Sequence, residues 1–228
     1  MEQEIIVPTT LNDITVEQYQ AFLRIQDNND SEEFIAQKMV SIFCKIKLSQ
    51  VLRIKYSSIT EILAGFNEMF QEKPKLKQTF FMNDVEFGFI PDLENMSFGE
   101  YVDLETNIGD WQTIHKAMAV MYRPITKKKG DKYEIQDYEG TANYSEVMKL
   151  APLGVTMGAM LFFYHLSNDL LKATQSYLVK ELTEMSIQQK DNSTLNGDGI
   201  TASMHSLEEM LESLITLPNL ESYNASHT

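Results

Sequence analysis

Apolar residues recur at helical spacing over most of this chain and give way to short aromatic runs near its middle. The stretch from Val85 to Ile125 shows the change best. Thr79-Phe80-Phe81-Met82 and Val85-Glu86-Phe87-Gly88-Phe89-Ile90 are separated by Asn83-Asp84, two residue types that accept positive φ, so a tight hairpin is predicted. Pro91, with no backbone NH, should end the ladder. Met96-Ser97-Phe98-Gly99-Glu100-Tyr101 then has the form of a capping box. Ser97 can accept from the NH three residues on, Glu100 can reach back to the NH of Ser97, and Met96 can staple Tyr101. After Gly109, Asp110 is expected to cap a second helix that carries Trp111, Ile114, His115, Met118, Met121 and Tyr122 on one face, with Pro124 as its stop.

Before this stretch, Glu4 to Val7 reads as a short strand followed by Pro8. Leu11 to Tyr19 then repeats the pattern of Leu93 to Tyr101: Leu, two polar residues, an apolar residue, a hydroxyl, an apolar residue, a variable position, Gln or Glu, and Tyr. Both copies read as helix starts of the same design, with a duplicated functional site as the sharper alternative. Asn28-Asn29-Asp30 closes the first helix, and Ser31 opens another with Phe34, Ile35, Lys38, Met39, Ile42, Phe43 and Ile46 at helical spacing, all apolar apart from the lysine. A short helix follows from Ser49. Ser58 and Glu61 form a further capping box ahead of Ile62, Leu63, Phe66, Met69 and Phe70. The N-terminal third is therefore expected to be a small helical bundle.

Beyond the centre, Met121 to Thr126 and Tyr133 to Tyr138 flank Lys127-Lys128-Lys129-Gly130-Asp131, which fits a second hairpin or a long exposed connection. Ser145 opens a short helix stopped at Pro152. From Leu153 to Met185 a single long helix is predicted as the central core helix. Its stripe is Val155, Ala159, Phe162, Leu166, Leu170, Ala173, Tyr177, Leu178 and Leu182. Gly154 and Gly158 would allow a close helix crossing. The expected core is Trp111, Ile114, Met118, Tyr122, Phe162, Leu166 and Leu170. Residues 186 to 199 are polar and linker-like, and Thr201 or Ser206 can start a short amphipathic helix with Met204, Leu207, Met210, Leu211 and Leu214 on one side. The fold class expected is mainly α (α+β): a helical body over 1–185 with one or two small β-hairpins, and a flexible acidic C-terminal segment over 186–228.

Charge narrows the choice of partners. A formal net charge of −14 argues against nonspecific binding to nucleic acid or anionic lipid, which both need clustered cations. One lysine against six acidic residues after Met185 places −5 of that charge in the C-terminal segment. The single cysteine, Cys44, permits neither an intrachain disulfide nor a thiolate zinc site, so a reducing cytosol is the default setting. MEQEIIVPTT is acidic where a signal peptide is basic, and the greasiest run, Leu153 to Leu166, is about 14 residues against the roughly 20 that span a bilayer. No membrane association is expected.

Candidate chemistry is sparse. His115 and His165 sit within apolar helical stretches, as hydrogen-bonded core histidines do, while His205 and His227 are scattered. No metal-ligand pair, nucleophile elbow or phosphate loop occurs. Among Asp92, Glu94, Glu100, Asp103, Glu105 and Asp110, Glu100 and Asp103 are three apart and could share a cation, which is the basis for a metal-dependent enzyme as an outside alternative. The plainer reading is that these carboxylates favour a helix N-terminus and pair with Arg123 or a lysine. No enzymatic activity, cofactor or metal is expected. Two stretches stand out for partner binding: the short helix of Met204, Leu207, Met210, Leu211 and Leu214, and the basic run Lys127, Lys128 and Lys129, which is either a solvated loop tip or a contact for an acidic surface.

The Pro-x-x-Leu-x-x-Ile-Thr-Val-x-x-Tyr start, GFIPDLENMSFGEYVDLE, MAVMYRPI, KYEIQDYEG and LFFYHL together resemble a family of tailed-bacteriophage morphogenesis proteins over roughly residues 1–185. The acidic helical body with a polar tail is similar to tail assembly chaperones. That resemblance implies a non-enzymatic role, with phage tail or tape-measure proteins as partners and self-association into a homo-oligomer. It implies a place in the host cytoplasm or, alternatively, in the virion as a structural component of the tail or head-tail connector. It supplies no catalytic residues.

Overall fold

The computed structural model describes residues 5–28 and 31–184, with side-chain environments up to 174. Among these residues the fold is mainly helical, with one small antiparallel sheet. Four helices come first: α1 (Val16–Gln26), α2 (Glu32–Phe43), α3 (Leu48–Val51) and α4 (Tyr56–Phe70). Thr15 caps α1 and Ser31 caps α2, each hydroxyl accepting from an NH three residues on. Aromatic rings close this bundle: Phe43 lies 5.4 Å from Phe22 and 5.6 Å from Phe66, centroid to centroid. Two expectations shift here. Ile5 to Val7 form no strand, and α4 begins at Tyr56, so Ser58 lies inside its first turn and does not cap it.

The sheet has the order β1-β2-β3-β4, all antiparallel, from β1 (Thr79–Met82), β2 (Val85–Phe89), β3 (Tyr122–Lys129) and β4 (Lys132–Ile135). The predicted first hairpin is present, and Asn83 and Asp84 have φ of 49° and 62°, as a two-residue turn of this hand requires. The second hairpin also forms, around Gly130 at φ 61°. Lys127 to Lys129 therefore belong to a strand and not to a loop. Gly88 lets a ring lie on the sheet, since a Cβ there would sit 2.6 Å from the Tyr133 ring.

Between β2 and β3 run α5 (Phe98–Ile108) and α6 (Ile114–Met121). Apart from Lys116, every residue of α6 is buried, which makes it the central helix. Asp110 holds the turn before it by accepting from the NH of Gln112, but it does not cap the helix, which starts only at Ile114. Nor does Pro124 end α6. The helix stops at Met121, Tyr122 is already extended, and Pro124 lies within β3 opposite Phe87. Its carbonyl accepts from Gln136 just past the end of β4, so its missing NH falls where the β3–β4 ladder stops.

After α7 (Ser145–Met148), α8 (Leu153–Glu184) enters the core and then leaves it. Leu153 to Met160 are buried, Leu161 to Tyr164 half-buried, and Leu166 and Leu170 are 43% and 51% exposed. The last two are thus not core residues, and α8 is central only over its first two turns. Trp111, Ile114, Met118 and Tyr122 are buried as expected, and Phe162 packs at the core margin against Phe89. Gly154 and Gly158 do permit close approach, Gly154 of the short 3-10 helix Leu11–Asp13 and Gly158 of the chain before β1. A Cβ on Gly154 would meet the Asn12 side chain at 2.7 Å, and one on Gly158 the Lys75 carbonyl at 2.5 Å. No described helix is long and apolar enough to cross a membrane.

Candidate functional site

Residues between Ile90 and Glu100, together with Arg123 and the chain from Tyr133 to Tyr138, line an open cleft of about 460 Å³. Three elements supply its polar floor. The Ser97 capping box fixes Glu100 by donating the Ser97 NH to Oε2 at 2.7 Å, and Oε1 accepts from Arg123 Nη2 of β3 at 2.5 Å. Both side chains are buried, at 9% and 7% exposure, so this pair is far more than a surface contact. Burial works to raise the Glu100 carboxyl, but the Ser97 hydrogen bonds and the Arg123 charge outweigh it and hold it below the usual carboxylate range.

Tyr138, just beyond β4, covers the pair, its ring centroid 5.4 Å from the Arg123 guanidinium carbon. Its hydroxyl donates to the Asp103 carboxylate. Burial and that carboxylate push its pKa well above that of a free tyrosine. Glu100 and Asp103 thus face different partners, a guanidinium and a phenol, and do not share a site. Among the described residues no group of three or more His, Cys, Asp or Glu is placed to hold a metal. At the mouth, Asn95 donates to Asp92 at 2.6 Å, and on the far side Tyr144 donates to Gln136 at 2.5 Å. These polar groups satisfy one another; one donor, Arg123 Nε, is buried without an acceptor.

The outer face of α5 is of another kind. Phe98, Tyr101 and Val102 are 82%, 51% and 39% exposed, at helical spacing, in a row outside the cleft lining. Glu105, on the same helix, is exposed and its charge raises the Tyr101 phenol, while Glu94 is exposed in the chain before the helix and Asp92 and Asp137 are exposed at the cleft. The surface combines bare aromatic area with negative charge.

Of the residues predicted for partner binding, Met204, Leu207, Met210, Leu211 and Leu214 lie outside the described residues. Lys127, Lys128 and Lys129 are exposed on β3, but two of them are engaged within the sheet, Lys127 with Glu134 at 2.7 Å and Lys128 with Glu86. His115 is buried and hydrogen-bonded to Gln20 through Nδ1 at 3.1 Å, the core role expected of it, and burial lowers its pKa. His165 is exposed, because α8 has left the body at that point.

The exposed row on α5 went unread in the sequence because that helix offers two apolar faces, Phe98-Tyr101-Val102 and Leu104-Ile108. Spacing alone does not say which one turns inward. Comparisons with protein families, curated proteins and solved structures found no match.

Proposed function

We propose that this chain is a non-enzymatic binding protein of bacteriophage tail assembly, chaperone-like, and that it holds a tail or tape-measure protein on the outer face of α5. The observation that carries the binding role is the row of Phe98, Tyr101 and Val102, bare and with the Glu105 charge beside Tyr101. Aromatic rings without cover are the residues that anchor protein interfaces. That negative charge suits a basic, amphipathic partner segment. Support against catalysis comes from the cleft, where Glu100, Arg123, Asp103 and Tyr138 are committed to one another and hold the loop before α5 in place. The phage setting rests on the sequence runs alone.

The test is co-expression with the tape-measure and tail-tube proteins of the source phage, for the parent chain and for Phe98→Asp/Tyr101→Asp. Both positions are exposed, so the fold should be unchanged by circular dichroism. The expected result is co-purification of one of the two proteins with the parent chain and its loss with the variant. Equal co-purification by both forms would rule out α5 as the binding face. A ring-like copy number in purified virions would replace the chaperone role with a structural one.

A further inference from the structure

Charge is segregated along this chain. From Phe34 to Thr60 there is no aspartate or glutamate, and the stretch carries Lys38, Lys45, Lys47, Arg53 and Lys55 in a chain whose net charge is −14. Lys38 lies over the Phe34 ring. The other four are exposed around α3, and none of them forms an ion pair among the described residues. Like charges gathered without counter-charges repel one another, so this corner gains by meeting an acidic group.

Local structure gives the corner a fixed shape and an apolar centre. Lys45 takes the left-handed conformation at φ 55°, the Ser41 hydroxyl donates to the Ile46 carbonyl at 2.7 Å, and the Gln50 side chain accepts from the NH of Lys47 at 2.7 Å. After α3, the NH groups of Arg53 and Ile54 donate back to the carbonyls of Gln50 and Val51, each at 3.0 Å. Val51 takes the inward place at 2% exposure, and Leu52 next to it is turned out at 64%. Tyr56, at the start of α4, is 45% exposed.

The complementary pattern lies in the same chain, outside the described residues. From Asp191 to Thr228 there is no lysine or arginine, and Glu208, Glu209 and Glu212 stand among Met204, Leu207, Met210, Leu211 and Leu214, which recur at helical spacing. Residues 186–200 can span up to about 50 Å when extended, more than the roughly 30 Å that α8 covers from His165 to its end at Glu184. The acidic stretch can therefore return to the body. A tether of this kind holds it at an effective concentration on the order of millimolar, above that of a free acidic partner.

We propose that residues 204–214 dock on the α3 corner of their own chain, with the three glutamates facing Lys45, Lys47, Arg53 and Lys55 and the apolar residues covering Leu52 and Tyr56. A carbodiimide, which joins an amine to a carboxylate without a spacer, tests this on the full chain, with the links mapped by mass spectrometry. The expected links join Lys45, Lys47 or Lys55 to Glu208, Glu209 or Glu212, with few from Lys73, Lys75 and Lys77, which are exposed ahead of β1. Leu52→Glu/Arg53→Glu removes no reactive amine and changes two exposed residues, so the fold should be kept and most of these links lost. Salt at about 1 M, where the screening length is about 3 Å, should have the same effect. In an equal mixture of isotope-labelled and unlabelled chains, links within one molecule join only like-labelled peptides. Mixed links at the statistical share would overturn the proposal, because another copy would then be the occupant. It also fails if the corner gives no links, if Lys73, Lys75 and Lys77 link as often, or if the double variant leaves the links unchanged.

Discussion

Leu11 to Tyr19 and Leu93 to Tyr101 follow one residue pattern and start their helices in one way, yet the first lies inside the core and the second on the surface. In the first, Leu11, Ile14, Val16 and Tyr19 are at most 2% exposed; in the second, Leu93 and Met96 are half-buried, Phe98 is 82% exposed and Tyr101 51%. The capping geometry is the same in both. The NH of Thr15 donates to Gln18 at 3.0 Å and the NH of Ser97 to Glu100 at 2.7 Å. The difference comes from what lies over each. The chain before α8 crosses the first copy, where Val16 donates to the Ala151 carbonyl and Leu153 to that of Ile14, and Trp111 stands edge-on to Tyr19 at 4.7 Å. Nothing in the described chain crosses Phe98. A local motif decides how a helix begins, and distant chain decides whether its residues become core or contact surface.

The box residue shows the same division at atomic scale. Gln18 has an NH₂ left over and gives it to the Ile42 carbonyl at 2.7 Å, whereas Glu100 has a carboxylate oxygen left over and takes Arg123. Each of the two residue types suits the partner that tertiary structure brings to it.

The largest expected effect separates the two tyrosines. Tyr19→Ala should cost about 3–5 kcal/mol in urea unfolding, as loss of a fully buried ring does, while Tyr101→Ala should stay within about 0.5 kcal/mol. Equal costs would erase the distinction. Next, Glu100→Gln should cost about 3 kcal/mol by leaving Arg123 buried without its counter-charge. Gln18→Glu should cost about 1–3 kcal/mol by setting a carboxylate against a carbonyl.

The acid limb of stability sharpens the contrast further. Because Glu100 is held below its ordinary value of 4.5 in the folded chain, the unfolded chain binds its proton first. Its contribution is complete above that value and is lost as pH falls through the folded one. Urea midpoints measured from pH 6 to pH 3 should therefore fall less steeply for Glu100→Gln than for the parent. The smallest effect concerns the Tyr19 hydroxyl, which is buried with no partner. Tyr19→Phe should raise stability by about 1 kcal/mol, and a loss of similar size would mean that the hydroxyl is hydrogen-bonded after all.

What could be read from the sequence was local. The Asn83-Asp84 turn, the Thr15, Ser31 and Ser97 caps and the hydrogen-bonded His115 depend on residues close in the chain or on burial that periodicity reveals. Errors arose where the outcome depended on distant chain. Pro124 has the look of a helix stop, but a strand edge accommodates a proline equally well when its missing NH faces the end of a ladder. Leu166 and Leu170 continue the stripe of buried Val155 and Ala159, and only the size of the body determines where that stripe comes out into water. For the cleft, the pairing of Glu100 with Arg123 was one of the readings open beforehand, but the cover supplied by Tyr138 joins residues far apart in sequence with no pattern to mark them.

The lone Trp111 has a practical consequence. Its ring is 6% exposed and edge-on to Tyr19 of α1, and its carbonyl accepts from Gln20 of the same helix at 2.7 Å, so the one indole chromophore sits at the seam between the N-terminal bundle and the central helix. Intrinsic fluorescence excited at the indole band is then a single-site signal. A red shift of its emission reports the parting of that seam, and it can be followed in the unlabelled chain alongside every substitution named above.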